Sequence, residues 1–172
     1  MELPKRKSTR LRNYDYSTAG YYFITICTYD KKCILSNIVG DGVYDIPKTI
    51  LSPYGKIVEK YIQKKNSQYN NICIDKYVIM PNHIHLIINI SEISKENNVL
   101  CGMSQAPYPT ANAIIPKFIS LFKRYCNREI GNNIFQRSFH DHIIRGENDY
   151  LKIWNYIDTN PQKWKEDCFY ND

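Results

Sequence analysis

Residues 81–90 constrain the fold of this 172-residue sequence more than any other segment. Read with the two-residue period of a β-strand, the segment has one face that carries only aliphatic side chains: Ile84, Leu86, Ile88 and Ile90. This face has to be buried, so the segment predicts an internal strand. His83 and His85 lie on the other face, where two imidazoles that point the same way can bind one cation. A His-x-His pair alone does not establish a metal site, so other residues are needed to decide whether a metal binds here.

Composition describes a globular chain, because 43% of its residues are hydrophobic and 13% are aromatic. We expect one domain over residues 1–172, large enough to bury its own core. No apolar run has the length of a membrane span, and the N-terminus lacks the hydrophobic core of a signal peptide, so we expect a cytoplasmic protein without a membrane partner. The six cysteines form no C-x-x-C pair, which favours free thiols.

The net charge of +6 favours a polyanionic partner. Arg10 and Arg12 lie in a basic N-terminal arm, residues 1–18, which is either a solvated tail or a contact to a phosphate backbone. A second basic group follows the helical period between residues 110 and 130 and is either a solvated helix face or a nucleic-acid contact. Its members are Lys117, Lys123, Arg124 and Arg128.

The order of secondary-structure elements predicts an α+β fold of the ferredoxin-like type, β-α-β-β-α-β, with an appended C-terminal helix. The predicted strands are 21–29, 72–80, 83–90 and 134–144, and the predicted helices are 53–66, 110–130 and 148–160. Ser52 is placed to cap the first helix. Residues 31–51 read as a long connection with a small hairpin, and residues 91–110 as a surface loop. In this arrangement helices cover the aliphatic face of the histidine strand and the opposite face is open.

The C-terminal helix has a buried stripe made of Tyr150, Ile153, Trp154 and Ile157. Tyr156 and Asn160 lie one turn apart on a neighbouring face. If that face covers the open side of the sheet, a phenol and an amide oxygen both point towards the two histidines. The alternatives are that Tyr156 only packs and that Asn160, which precedes Pro161, caps the following turn.

Five segments, in this order, resemble the HUH single-strand DNA nucleases, and most closely their single-tyrosine branch, the REP-associated tyrosine transposases. The segments are RLRNYDY at 10–16, YFITICT at 22–28, YVIMPNHIH at 77–85, QR at 136–137 with HIIR at 142–145, and YIDTNP at 156–161. The resemblance covers nearly the whole chain.

The resemblance implies that His83 and His85 are metal ligands, that Tyr156 is the nucleophile, and that Asn160 is the third ligand. His142 matches a recurring family position and is a candidate to line the site, whereas Arg145 joins the predicted DNA contacts. The implied cofactor is Mg²⁺ or Mn²⁺, and the implied partner is single-stranded or hairpin DNA, bound by a monomer or a homodimer. The implied reaction leaves a 5′-phosphotyrosine, from which a 3′-hydroxyl can later rejoin the strand.

Two other functions are open from the residues. His83 and His85 with His140 and His142 make two His-x-His pairs, which a zinc-dependent hydrolase could use. A ferredoxin-like sheet can also bind RNA without catalysis, through exposed aromatic side chains.

Overall fold

The computed structural model describes residues 14–40, 46–66, 71–92 and 113–170. Its strands are β1 (Gly20–Cys27), β2 (Ser36–Val39), β3 (Lys48–Leu51), β4 (Ile72–Ile79), β5 (His83–Ile90) and β6 (His140–Ile144). Its helices are α1 (Pro53–Asn66), α2 (Ile114–Ile130) and α3 (Glu147–Thr159). The predicted basic arm up to residue 13, and the predicted surface loop from residue 93 onwards, lie outside the described residues.

Four strands form one antiparallel sheet in the order β4-β5-β1-β6. The chain runs from β1 through the small hairpin β2-β3 and then through the helix α1 to β4. The helix α2 connects β5 to β6. Strand β5 is therefore internal, as predicted. Its register with β1 places His85 opposite Thr25 and His83 opposite Cys27.

The aliphatic face of β5 lies in the main core, as its two-residue period predicts. Ile84, Leu86, Ile88 and Ile90 pack there with side chains from β1, β4, α1 and α2. The predicted cap of α1 is present, because the Gly55 amide donates to Ser52 Oγ at 3.1 Å. Gly55 allows the helix to approach the backbone of Leu35 so closely that a Cβ would lie 2.1 Å from its carbonyl oxygen.

The opposite face of the sheet was predicted to be open, and this was wrong. The predicted stripe of α3 packs on it, where Ile157 forms a second apolar cluster with Ile87 and Ile144. The segment after α3 covers the rest, with a short 3₁₀ turn at Trp164–Glu166. Packing of this stripe on the sheet removes apolar surface from water. An open sheet face would leave that surface exposed and would lose this stabilisation.

Strand β6 is shorter than the strand predicted at 134–144. The first half of that range bonds irregularly to residues at the end of β1 and does not form a regular ladder. Phe135 forms an isolated bridge with Thr28, and the Gln136 amide donates to the Cys27 carbonyl at 2.9 Å. These bonds extend β1 past its end, and regular pairing starts only at His140.

Tyr14 and Tyr16, which the prediction assigned to the arm, pack on the core. Tyr16 is 1% exposed and its hydroxyl donates to Asp141 Oδ2 at 2.6 Å. The five cysteines that fall within the described ranges are free thiols. Within those ranges, no helix combines the length and the apolar character that a membrane span needs.

Candidate metal and tyrosine site

Strand β5 places His83 and His85 side by side on the face covered by α3. Their ring centroids are 4.4 Å apart, and the two side chains are 0% and 1% exposed. The strand alternates strictly here, so both imidazoles leave the backbone in the same direction. The ring of Phe23, on β1, stacks on His85 with centroids 5.0 Å apart.

Each imidazole is oriented by a hydrogen bond at Nδ1. His83 Nδ1–H donates to the Asn82 side-chain oxygen at 2.8 Å, because that oxygen can only accept. Asn82 is held in turn, since its amide nitrogen donates to the Phe169 carbonyl at 2.7 Å. His85 Nδ1 lies 2.8 Å from the Thr25 hydroxyl. This leaves the Nε2 atoms to point into the site, as in many metal-binding histidines.

Both imidazoles are neutral at pH 7. Burial lowers the pKa of His83 to about 4, despite an opposing effect from the charge of Asp167. Burial also holds the pKa of His85 well below its ordinary value, and the neighbouring His83 adds to the effect. A neutral imidazole has the free nitrogen lone pair that a metal ion needs.

The helix α3 brings Tyr156 and Asn160 to the same site. The Tyr156 hydroxyl lies 3.3 Å from His85 Nε2, and its ring packs edge-on to Phe23 with centroids 6.1 Å apart. Tyr156 is 38% exposed, whereas Asn160 is 2% exposed. Of these two side chains, solvent therefore reaches Tyr156.

Sequence reasoning missed Asp167, which lies in the irregular segment after α3. Its Oδ2 accepts hydrogen bonds from the Tyr156 hydroxyl at 3.2 Å and from the Asn160 amide nitrogen at 2.8 Å. Ligand atoms of His83, His85 and Asp167 all lie within 4.8 Å of one another. No spacing rule connects Asp167 to a strand almost eighty residues earlier in the chain, so no sequence signal could have found it.

Two buried polar atoms support a cation at this place. His83 Nε2 and Asn160 Oδ1 have no hydrogen-bond partner among the described residues. Such orphaned atoms are rare in proteins, because each one loses its hydration without compensation. Both carry lone pairs, and together with a second imidazole and a carboxylate they form a donor set that suits a divalent ion. The residues present therefore fit the metal that the family resemblance implies.

The phenol is protonated in this environment. Burial raises the pKa of Tyr156 well above its ordinary value, and the negative charge of Asp167 adds to the rise. Asp167 Oδ2 accepts the phenolic hydrogen bond, so this carboxylate is placed to accept the phenolic proton.

Comparison with known proteins gives two relatives from Haemophilus influenzae. An uncharacterised protein is 34% identical over 97% of this chain and 94% of its own length. A protein assigned as a REP-associated tyrosine transposase is 25% identical over 89% of this chain and 77% of its own length. The chain is similar to the REP-associated tyrosine transposases.

The fold agrees with this family. A solved structure of a REP-associated tyrosine transposase bound to a REP hairpin superposes with a TM-score of 0.57 at 20% identity. The superposition covers 90% of this chain and 73% of that one. No family model matches the sequence.

Three of the four predicted DNA contacts on α2, namely Lys123, Arg124 and Arg128, border one basic groove. The groove has a volume of about 900 Å³, and its lining contains no carboxylate side chain. Its cationic residues are Lys123, Arg124, Arg128 and Arg137, of which sequence reasoning did not select Arg137. Lys123 is 9% exposed and donates to the carbonyls of Gln136 and Ser138 at 2.8 and 2.7 Å. Its ammonium is therefore hydrogen-bonded within the protein.

Lys117 and Arg145 do not line the groove. Lys117 is exposed on α2, and Arg145 is exposed where β6 meets α3. Arg10 and Arg12 lie outside the described residues. His142 shares the sheet face of His85, but its Nε2 is bonded to Asp149 Oδ2 at 2.8 Å and is not part of the ligand cluster.

Proposed function

We propose that this protein is a metal-dependent transposase that cleaves and rejoins single-stranded DNA at hairpin-forming repeats through Tyr156. One observation carries the proposal. The Tyr156 hydroxyl lies 3.3 Å from His85 Nε2 and 3.2 Å from Asp167 Oδ2, next to an unpartnered His83 Nε2. A nucleophile, a proton acceptor and a metal-competent donor set thus share one pocket.

We propose that His83, His85 and Asp167 hold Mg²⁺ or Mn²⁺, with Asn160 Oδ1 as an additional ligand. Imidazole ligands favour Mn²⁺ over Mg²⁺. A bound divalent ion supplies electrostatic stabilisation of the phosphate charge that otherwise repels a nucleophile. The hydrogen bond from His83 to Asn82 would fix the Nε2 lone pair towards the ion, and the Thr25 hydroxyl would do the same for His85.

In the reaction that we propose, the oxygen of Tyr156 attacks phosphorus and its proton passes to Asp167. A phosphorus–oxygen bond to tyrosine forms, the bond to the 3′ oxygen of the leaving strand breaks, and this oxygen takes a proton from solvent. The product is a 5′-phosphotyrosine and a free 3′-hydroxyl. Because the energy of the phosphodiester is kept in the link to tyrosine, the reverse attack by another 3′-hydroxyl rejoins DNA without ATP.

Hairpin DNA is the proposed partner because the related transposase of known structure is bound to a REP hairpin. The basic groove beside α2 supports this partner, since three arginines line it without a carboxylate. The strand order and the helices after β1 and β5 support the ferredoxin-like arrangement, with α3 as the appended helix that carries the tyrosine.

The two alternative functions have less support. A zinc hydrolase built on both His-x-His pairs needs His140 and His142 to join His83 and His85, but Asp149 binds His142 instead. A non-catalytic RNA-binding module gives no reason for the buried, unpartnered atoms around the tyrosine.

The test incubates labelled single-stranded hairpin oligonucleotides with the native chain and with Tyr156→Phe, in Mn²⁺, in Mg²⁺ and in chelator. We expect a protein–DNA adduct on denaturing gels that requires metal and is lost in Tyr156→Phe, although this variant still binds DNA. Tyr150→Phe is the matched control, because Tyr150 lies on the same helix and donates to Asp75 instead. Cleavage that persists in Tyr156→Phe would contradict the proposal and indicate attack by water.

A further inference from the structure

The turn after β1 has a strained backbone. Asp30 and Lys31 both have φ of 53°, in the left-handed region that side chains other than glycine rarely adopt. Every other positive-φ residue in the described ranges is a glycine. Strain of this kind persists only where the surrounding structure imposes it, and it occurs often at functional sites.

Hydrogen bonds tie this turn to the residue that orients His83. The Thr28 amide and hydroxyl both donate to the Asn82 carbonyl, at 2.9 and 3.0 Å. The Thr28 carbonyl accepts from the Lys31 amide at 3.2 Å, and the Thr28 hydroxyl also contacts the Lys32 carbonyl at 2.9 Å. The strained turn is thus fixed relative to the metal-binding face of the sheet.

The side chain of Lys31 is directed towards the site. Its Nζ lies 5.5 Å from the centre of the Phe169 ring, and that ring centre lies 4.7 Å from the His83 ring centre. The ammonium is therefore no more than about 10 Å from the imidazole.

Among the residues that the structure describes, the charge of Lys31 has no counter-ion. Its one hydrogen bond is a long contact of 3.4 Å to the Cys168 carbonyl, and no described carboxylate lies within ion-pair distance. Lys31 is thus a partly buried cation that is not neutralised, and it lies close to a site that would hold a divalent ion. A cation in this position attracts an anion rather than a further cation.

We propose that Lys31 is a substrate-contacting residue whose ammonium binds a phosphodiester oxygen of the DNA strand that reacts at Tyr156. This inference rests on the proposed function and adds a contact that neither the sequence motifs nor the ligand cluster includes. The strained turn serves to present this cation from the end of β1, beside Phe169.

The competing explanation is structural: Lys31 only attaches the C-terminal segment through Cys168 and Phe169. Two glycine variants separate the explanations. Lys31→Gly and Asp30→Gly both relieve positive φ, so neither is expected to lose fold stability through the backbone. Only the first removes the cation.

The experiment compares these variants with Lys31→Arg and with Lys32→Gln, which removes the neighbouring exposed lysine. Binding of a fluorescent single-stranded hairpin oligonucleotide is measured by anisotropy over a range of salt concentrations, and adduct formation in Mn²⁺ is measured at subsaturating DNA. We expect Lys31→Gly to slow adduct formation by about 10- to 100-fold, the size of one lost charge-assisted hydrogen bond. Its salt slope for binding should fall by about 1. Asp30→Gly, Lys31→Arg and Lys32→Gln should stay within about threefold of the native chain.

Two results would overturn the inference. One is native-like binding and adduct formation by Lys31→Gly, and the other is an equal loss in Asp30→Gly, which would assign the effect to the turn itself. If the native chain formed no adduct, the proposed function would fail. The salt slope of Lys31→Gly would still decide whether this lysine contacts DNA.

Discussion

Acid should unfold this protein through its two buried histidines. In the folded chain burial lowers the pKa of His83 to about 4 and holds the pKa of His85 well below its ordinary value. In the unfolded chain both return to about 6.5. Between these values the unfolded state binds more protons than the folded state, so the free energy of unfolding falls as the pH falls.

The magnitude follows from the difference in bound protons. On going from pH 7 to pH 5, an unfolded imidazole becomes almost fully protonated, while a folded one with pKa about 4 stays mostly neutral. This difference costs about 2 kcal/mol for each histidine, and about 4 kcal/mol for the pair. A small domain has only about 5–15 kcal/mol of stability in total, so the loss should be large.

The assay is urea denaturation at several pH values between 5 and 7, in chelator, for the native chain and for a variant with His83→Gln and His85→Gln. We expect the native chain to lose about 4 kcal/mol more than this variant over the range. His140→Gln, at an exposed histidine on strand β6 of the same sheet, is the control and should retain the native slope. Parallel curves for the native chain and the double variant would refute the reasoning.

Three further perturbations test the fold and the basic groove. Gly55→Ala should lower the free energy of unfolding, measured by urea denaturation, by at least about 2 kcal/mol, because its Cβ would lie 2.1 Å from the Leu35 carbonyl oxygen. A variant with native stability would contradict this close approach. Lys123→Met should lower the free energy of unfolding by about 2 kcal/mol in the same assay, because the carbonyls of Gln136 and Ser138 lose a charged donor. A neutral effect would mean that water replaces this donor. Replacing Arg124 and Arg128 by Gln should lower the salt dependence of hairpin DNA binding, the slope of log affinity against log salt concentration, by about 2 and leave the melting temperature unchanged. An unchanged slope would mean that the groove does not bind DNA.

Local patterns predicted the elements of this fold well. The alternation along β5 placed four aliphatic residues in the core, because a strand with one buried face cannot change register without exposing that face. The three- and four-residue spacing in α3 predicted its buried stripe in the same way. These predictions depend on neighbours in sequence, and the sequence contains all of that information.

Long-range contacts were not predictable. Asp167 reaches the site from an irregular segment whose path depends on how α3 lies over the sheet. Lys123 looked like a solvent-facing member of a basic stripe, but the chain after α2 folds back and gives its ammonium two carbonyl partners. The strained turn at Asp30 and Lys31 has no glycine to mark it, so composition gave no signal.

The most direct test of the central claim is to identify the residue that becomes linked to DNA. The native chain is reacted with a single-stranded hairpin oligonucleotide in Mn²⁺, the bound DNA is trimmed with nuclease, and the digested protein is analysed by mass spectrometry. We predict that the nucleotide mass is found on the peptide that contains Tyr156, at that side chain. A nucleotide on any other residue, or complete cleavage of the DNA without a modified peptide, would contradict the account.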